Sequence, residues 1–258
     1  MHSLIEIPQN PNVHILFLTF NRLYYTQKTL PALLESADTA SCQIRIVDNG
    51  STDGTVEYLQ KLSHPQIERV IYNRKNEGLV KPTKNFWKES KAEFIGKIDN
   101  DILVPRKWIE KLVDAHQKIP ELGVVGYCHF RKEDFNNNKV KKKVENMNGV
   151  YIRRQPWIGG NYIIKSNHLK KYSGYTQSRK LLKKRKFYGF TKYQKKLSEQ
   201  GLIHGYICDK NKNLLFWEHI DDPRNKYYCT DSKYLNRLEN ENIIKWYKLD
   251  ARNLLEKS

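Results

Sequence analysis

The sequence CQIRIVDNGSTDGTVEYLQKL, residues 42–62, predicts a β-strand, a polar turn and an α-helix in direct succession. Its first seven residues are mostly apolar, as in a strand buried on both faces of a sheet. Ser51, Thr52 and Asp53 then supply side chains of the kind that cap the start of a helix. Such a strand–turn–helix unit is the building block of an α/β fold.

The same order of elements recurs on both sides of this unit. VHILFLTF (13–20) predicts a strand, and a helix is predicted to begin near Asn21. Further strands are predicted at 66–73, 92–99 and 122–128, with helices within 78–91 and 104–120. This alternation predicts a Rossmann-like, mostly parallel sheet with helices on both faces. Ligands of such sheets bind beyond the carboxyl ends of the strands.

The alternation ends after residue 128. Residues 130–149 are rich in Asn and Lys and predict a long excursion or mobile loop. The remaining chain predicts a Gly-Gly turn into a short strand near residue 160, a basic segment at 178–197, two short strands within 205–222 and an amphipathic helix at 241–257.

Composition limits the classes of partner and compartment. The 258 residues include 46 Lys and Arg against 28 Asp and Glu, a net charge of +18. This excess suggests a polyanionic partner: nucleic acid, an anionic membrane or a phosphorylated substrate. The four cysteines are scattered, as in a protein with reduced thiols, and no signal peptide or run of ~20 apolar residues is present. We therefore expect a cytoplasmic protein, with peripheral contact to the inner face of the membrane left open.

The segment KIDND (97–101) places two carboxylates at the end of a buried strand. Charges in that position need a cation or a ligand to offset their desolvation. Divalent cations such as Mg²⁺ are commonly held by one or two carboxylates together with substrate phosphates. The alternative is a loop whose Asp side chains only make turn hydrogen bonds.

Several segments resemble glycosyltransferase family 2. IVDNGSTDGTVEYL (46–59), followed about fifty residues later by KIDND, resembles the family's nucleotide-binding segment and carboxylate pair. The remaining similar segments are TFNR (19–22), NEGLVKPTKNF (76–86), IGGNYIIK (158–165) and WEHID (217–221). The resemblance is good over residues 13–130 and looser over 156–221.

This resemblance implies a GT-A fold and a nucleotide-diphosphate sugar donor, with UDP the expected nucleotide. It divides the chain into a nucleotide-sugar-binding half (1–130), an acceptor-side half (131–222) and a C-terminal helical extension (223–258). The nucleotide-binding residues that it implies are Thr19, Phe20, Arg22, Asp48, Asn49, Asp99 and Asn100. Asp48 could instead only cap the following turn.

The resemblance also implies a Mn²⁺ or Mg²⁺ ion on Asp101 and His219, which would neutralise the leaving diphosphate. His219 could equally be a hydrogen-bonded structural residue. Trp157, Gly159 and Gly160 would form a sugar-binding wall, or merely a turn with an aromatic ring packed over it.

The sequence departs from the family where an acidic pair normally supplies the base that deprotonates the acceptor. Thr191 and Lys192 stand there instead. Three options remain open: another carboxylate, with Asp134 and Asp209 as candidates; a retaining route in which the diphosphate takes the proton; or an acceptor that is already ionised. We expect Lys192 to orient an anionic group on the acceptor, a surface glycan or a lipid-linked sugar.

The basic segment and the amphipathic tail suggest contact with anionic lipid headgroups. The sequence leaves two alternative functions. A sugar-phosphate nucleotidyltransferase needs a Gly-rich loop after the first strand, and LTFNRLYY (18–25) has no glycine. A nucleic-acid-binding protein is suggested only by the net charge, without a recognisable binding motif, and no nucleic acid partner is expected.

Overall fold

The computed structural model describes residues 12–37, 41–171, 189–231 and 240–257, and within them it shows an α/β fold. The strands are β1 (Val13–Thr19), β2 (Cys42–Asp48), β3 (Ile67–Tyr72), β4 (Phe94–Asp99), β5 (Ile102–Leu103), β6 (Leu122–Gly126), β7 (Val144–Met147), β8 (Val150–Gln155), β9 (Tyr162–Lys165), β10 (Ile203–Ile207) and β11 (Glu218–His219). The helices are α1 (Leu23–Ala37), α2 (Thr55–Gln60), α3 (Val80–Glu89), α4 (Trp108–Lys118), α5 (Asn137–Lys141), α6 (Ser166–Lys171), α7 (Phe190–Ser198) and α8 (Asn240–Ala251).

Nine strands form one sheet in the order β3-β2-β1-β4-β9-β6-β10-β8-β7, while β5 and β11 pair separately. The first four strands of this order are parallel, as the sequence predicts. Strand β9 runs antiparallel to both β4 and β6 and joins them. The predicted α/β class with a large sheet is confirmed, and the far half of the sheet is mixed.

Helices cover both faces of the sheet because successive strand residues point to opposite sides. Ile15 and Phe17 of β1 enter a cluster with residues of α1 and α4. Leu16 and Leu18 enter a second cluster with residues of α3, α7 and α8. The continuous apolar run of β1 is thus explained by burial on both faces.

The prediction of a long loop at 130–149 is wrong. This stretch contains a 3₁₀ turn (Lys132–Asp134), α5 and β7. The side chain of Asn136 caps α5 by accepting hydrogen bonds from the backbone N–H groups of Asn138 and Lys139. Val140 and Val144 are buried, so a few apolar residues anchor an otherwise polar segment.

The predicted C-terminal helix corresponds to α8 and a π-helical turn at Arg252–Glu256. Ile243, Tyr247 and Ala251 are buried against the second cluster. In the four described ranges, no helix combines the length and the apolar character needed to cross a membrane.

Buried His204 makes the stability of the fold sensitive to acid. Its Nδ1 accepts the N–H of Val124 at 3.0 Å, so its Nε2 carries the proton and donates to the Gln194 carbonyl at 2.9 Å. Burial lowers the pKa of His204 to about 4. The unfolded chain therefore takes up a proton first as the pH falls from 6.5 towards 4, and folding stability is lost in that window, by up to about 3 kcal/mol from this group.

We expect His204→Gln to be less stable than the native protein at pH 7 but to lose less stability on acidification, because Gln does not titrate. Urea unfolding at pH 7.0 and 4.5 measures both quantities. An equal loss in the two proteins would show that His204 is not the responsible group.

Candidate active site

The carboxyl ends of β1, β2 and β4 lie side by side. Thr19 pairs with Asp48, and Leu18 pairs with Asp99, so all three strands end at the same edge. A cleft of about 350 Å³, here called the strand-end cleft, opens at this edge. Its lining residues are Leu18, Thr19, Phe20, Arg22, Asn49, Asn76, Gly78, Leu79, Asp99, Asn100 and Asp101.

Polar side chains fix the loop between β1 and α1. Asn21 and Arg22 both have positive φ angles, of 53° and 63°, which is strained for residues with a Cβ. The Ser51 hydroxyl accepts the Asn21 N–H at 2.7 Å, and Asp53 accepts the Leu23 N–H at 2.8 Å. The 51–53 turn therefore holds the strained loop in place.

Asp101 lies among charged groups. It is buried, and its Oδ2 atom accepts a hydrogen bond from Nη1 of Arg22 at 2.8 Å. The same Nη1 lies 3.6 Å from Oδ2 of buried Asp221. Burial, and next the negative charges of Asp221 and Asp99, raise the pKa of Asp101 to about 6. Two buried carboxylates thus share one guanidinium.

His219 reaches Asp101 through the small β5–β11 sheet. His219 pairs with Ile102, and the N–H of Ile220 donates to the Asp101 carbonyl at 3.0 Å. Nδ1 of His219 lies 3.9 Å from Oδ1 of Asp221, while its buried Nε2 has no hydrogen-bond partner among the residues that the structure describes. Burial alone would lower the pKa of His219, but Asp221 and Asp101 raise it above its ordinary value.

Asp99 has its own set of contacts. Its carboxylate forms an ion pair with buried Lys97, and its N–H donates to Oδ1 of Asn161 at 2.7 Å. A Cβ on Gly160 would lie 3.0 Å from Oδ2 of Asp99, tighter than ordinary contact. Gly160 therefore allows the backbone after β8 to approach this carboxylate.

Two further cavities continue from the strand-end cleft. The junction cavity, of about 160 Å³, is lined by Asp99, Asp101, Tyr127, His129, Gly159, Gly160, Asn161, Trp217, His219 and Tyr247. The outer cleft, of about 440 Å³, is lined by His129, Phe130, Arg131, Lys132, Glu133, Phe216, Trp217, Glu218, His219, Asp222, Arg224, Asn225 and Lys226. Asp99 and Asp101 line the first two spaces, and His129 and His219 the last two. The junction cavity thus shares lining residues with both clefts, whereas the strand-end cleft and the outer cleft share none.

Most predicted nucleotide-binding residues line the strand-end cleft, but Asp48 does not. Asp48 is fully buried and accepts the N–H groups of Gly50 and Ser51, as the turn-capping alternative predicts. Asn49 lines the cleft, yet its side chain bonds Asn73, Asn76, Glu77 and Gly78. Both residues shape the cleft through the loops they hold.

The two candidate bases lie outside all three spaces. Oδ1 of Asp134 accepts Nη1 of Arg224 at 2.5 Å, and its Oδ2 accepts the N–H of Arg131. Asp209 accepts the N–H groups of Asn211 and Asn213 in the turn after β10. Asp134 and Asp209 thus stabilise local structure, and neither is placed to deprotonate an acceptor in these three spaces.

The acceptor-side residues are only partly brought together. Gly159 and Gly160 line the junction cavity, whereas Trp157 is half-buried and lines none of the three spaces. Trp217, stacked on Tyr127 at 4.8 Å between ring centroids, is the aromatic wall of the junction cavity. Lys192 is exposed on α7, and the basic residues 178–188 lie outside the described residues.

Sequence analysis missed Lys97, Asp221 and His129. Lys97 precedes Asp99 by two residues on one strand, so strand periodicity alone places both on the same face. Asp221 follows His219 by two residues, but β11 ends at His219, so this rule does not reach Asp221. His129 lies three residues after the end of β6, near the edge at which ligands of α/β sheets bind.

The residues around Asp101 fit a divalent cation. Oxygen and imidazole donors converge there, and the unpartnered Nε2 of His219 is an available ligand atom. Across residues 12–37, 41–171, 189–231 and 240–257, no group of three or more His, Cys, Asp or Glu side chains is arranged to hold a metal ion by itself. A cation at Asp101 would therefore bind weakly alone and more tightly once a bound substrate adds ligand atoms.

Comparison with solved structures supports the fold assignment. The mannosyltransferase PcManGT from Pyrobaculum calidifontis, solved in complex with GDP-Man and Mn²⁺, is 18% identical with a TM-score of 0.60, over 86% of this chain and 60% of that chain. S. aureus TarS 1–349, solved in complex with UDP-GlcNAc, is 18% identical with a TM-score of 0.47, over 62% of this chain and 47% of that chain. The chain thus spans less than two thirds of either protein. Curated protein sequences give no significant match.

Comparison with family models is decisive. Residues 15–190 match the model described as glycosyl transferase family 2. This range runs from within β1 past β9, includes the Asp99–Asp101 edge, and covers more than half of the 258 residues. The chain therefore belongs to glycosyl transferase family 2.

Proposed function

We propose that the protein transfers a sugar from a nucleotide-diphosphate donor, a UDP-sugar, to an anionic surface-glycan or lipid-linked acceptor. The observation that carries this proposal is the position of Asp99 and Asp101, which line both the strand-end cleft and the junction cavity. The nucleoside would occupy the strand-end cleft, the sugar the junction cavity, and the acceptor the outer cleft. The bond to be broken would then lie beside the two carboxylates and His219.

The charges fit this arrangement. Transfer breaks the bond between the sugar C1 and the diphosphate oxygen, and the diphosphate leaves with the electron pair. Asp101 and His219 would hold Mn²⁺ or Mg²⁺, which supplies Lewis-acid stabilisation of that developing charge. Arg22 lies at the same edge of the strand-end cleft and brings a permanent positive charge. The aromatic rings of Tyr127 and Trp217 line the junction cavity and would shield one side of the sugar from water.

The acceptor is proposed to be anionic because cationic side chains outnumber anionic ones in the outer cleft, its proposed site. The charged lining residues are Arg131, Lys132, Arg224 and Lys226 against Glu133, Glu218 and Asp222, and Lys192 lies exposed on α7. An acceptor oxygen that is already ionised needs no carboxylate base, which agrees with Thr191 and Lys192 at the family's acidic positions.

Nucleotide binding tests the donor half of this proposal. We expect UDP or a UDP-sugar at ~100 times its Kd to stabilise the protein by ~2.7 kcal/mol in the presence of Mn²⁺ and much less in EDTA. Thermal unfolding with UDP, GDP and CDP identifies the base, and UMP, which lacks the second phosphate, is the control. Stabilisation by none of these nucleotides would contradict the proposal.

We further propose that α8 rests on an anionic membrane surface. Trp246 and Leu249 are exposed, with 52% and 61% of their surface accessible, on the side of α8 that faces away from the buried residues. Basic Lys245, Lys248 and Arg252 are exposed beside them. An indole at headgroup depth combined with ~1 kcal/mol per basic residue suits a bilayer containing anionic lipid.

We expect the native protein to co-sediment with vesicles of phosphatidylglycerol and phosphatidylcholine, and not with pure phosphatidylcholine vesicles. Trp246→Ala and Lys248→Gln should each weaken this binding, whereas Lys111→Gln, exposed on α4, should not. Equal sedimentation with both vesicles, or equal effects of the two lysine variants, would exclude this surface.

A further inference from the structure

Arg22 joins the β1–α1 loop to two buried carboxylates from different parts of the chain. Its Nη1 lies 2.8 Å from Oδ2 of Asp101 and 3.6 Å from Oδ2 of Asp221. The exposed fraction of the side chain is 24% for Arg22, 12% for Asp101 and 5% for Asp221. Arg22 and Asp101 both line the strand-end cleft, whereas Asp221 lies behind them.

The pair of carboxylates needs such a cation. Like charges buried close together repel each other, and the low dielectric of the interior strengthens that repulsion. Asp221 and Asp99 destabilise the charged form of Asp101, while Arg22 and His219 favour it. Removal of one partner from a buried charge cluster leaves the others uncompensated.

The backbone beneath Arg22 is held in a strained but fixed geometry. Asn21 and Arg22 occupy the left-handed region consecutively, and the turn at Ser51–Asp53 bonds the N–H groups on both sides. Strain of this kind persists only where the surrounding structure enforces it. The backbone of Arg22 is therefore rigid, and only its long side chain is free to change conformation.

We propose that Arg22 is an internal counter-cation that occupies the carboxylates until a divalent cation binds, and that then turns to the diphosphate of the donor. The diphosphate part of this inference rests on the proposed function; the competition for Asp101 does not. Arg22 thus lowers the affinity for a divalent cation alone and raises the affinity for the cation together with the nucleotide. By linkage, the nucleotide must raise cation affinity by the same factor by which the cation raises nucleotide affinity.

The test measures binding of Mn²⁺ alone, by titration with detection of free Mn²⁺ by EPR. We expect Arg22→Gln to bind Mn²⁺ about tenfold more tightly than the native protein, because a competing unit charge is removed. The same variant should bind UDP at saturating Mn²⁺ about tenfold more weakly, because the diphosphate loses its guanidinium partner. Arg106→Gln, which removes an exposed arginine that pairs with exposed Glu35, should change neither affinity.

Two further variants make the result decisive. In an Asp101→Asn background, Arg22→Gln should give no gain in Mn²⁺ affinity, since the carboxylate for which Arg22 and Mn²⁺ compete is absent. Arg22→Lys keeps the charge and should give a smaller gain in Mn²⁺ affinity than Arg22→Gln. The gain arises because an ammonium group lacks the planar set of N–H donors with which a guanidinium contacts two carboxylates. Circular dichroism establishes that each variant is folded.

Equal or weaker Mn²⁺ binding by both Arg22 variants overturns the inference. So does a gain that survives in the Asp101→Asn background, and so does a complete lack of Mn²⁺ binding. Product formation from a nucleotide sugar is measured separately, so a failed Mn²⁺ result leaves glycosyl transfer to be judged by its own assay.

Discussion

Replacement of Asp101 by Asn is expected to lower the rate of sugar transfer about a thousandfold while leaving the fold at least as stable as the native one. A thousandfold loss corresponds to about 4 kcal/mol of transition-state stabilisation, the scale expected when a charge-stabilising group is removed. The carboxamide has nearly the same shape but carries no charge to hold a cation.

The expected gain in stability has a separate cause. The pKa of Asp101 is raised to about 6, so the fold holds this group ionised at pH 7 against burial and the charges of Asp221 and Asp99. A raised carboxyl pKa means that ionisation weakens the fold as the pH rises through the window from about 4 to 6. Asn removes this cost, and Arg22 retains Asp221 as its partner.

Product formation and thermal unfolding at pH 7 measure the two effects on the same preparation. Asp114→Asn, at an exposed residue of α4 paired with Lys118, is the matched control and should change neither. Full activity of Asp101→Asn would discard the assigned role. A large drop in its melting temperature would mean that the carboxylate supports the fold instead.

The second large effect is expected at Asp134. Replacement by Asn should lower the free energy of unfolding by about 1.5–3 kcal/mol, because Arg224 would lose one of its two carboxylate partners and keep only Asp222 as a counter-charge. Asp134 is fully enclosed and joins the turn at Arg131 to the segment after β11, so its loss affects two distant parts of the chain.

Urea unfolding measures this change, with Asp209→Asn as the control. Asp209 caps an exposed turn, and its replacement should cost less than about 1 kcal/mol. The turnover of folded Asp134→Asn, measured at low temperature, should stay near the native value. A stable but inactive protein would instead restore Asp134 as the candidate base.

The sequence was sufficient to predict the strands that are buried on both faces. β1 and β2 consist mainly of apolar or β-branched residues, and their predicted bounds differ from the observed ones by at most one residue. β7 was missed because only one residue of VENM, Val144, is buried, so its burial pattern is too short to give a periodic signal. Its place in the sheet comes from pairing with β8.

Site residues could be predicted where a single strand carries them. They were harder to predict where the site depends on a contact between residues far apart in the sequence. Asp99 and Asp101 stand out at the end of an apolar run. The structural use of Asp134 depends on Arg224, ninety positions away, and no local pattern reports that contact. The same holds for Asp221, whose partner Arg22 lies near the start of the chain.

The insertion of β9 between β4 and β6 has a consequence for the order in which the protein is made. When the ribosome has produced β6, strands β4 and β6 have no ladder between them, because β9 supplies it. The gap lasts while about 40 more residues are synthesised, a few seconds at ordinary rates. During that time two apolar strand edges are open to pairing with other chains. Asn161, just before β9, reaches Asp99 only when this strand docks, so a single event closes the gap between β4 and β6 and brings Asn161 to Asp99, before β10 is made and joins β6 to β8.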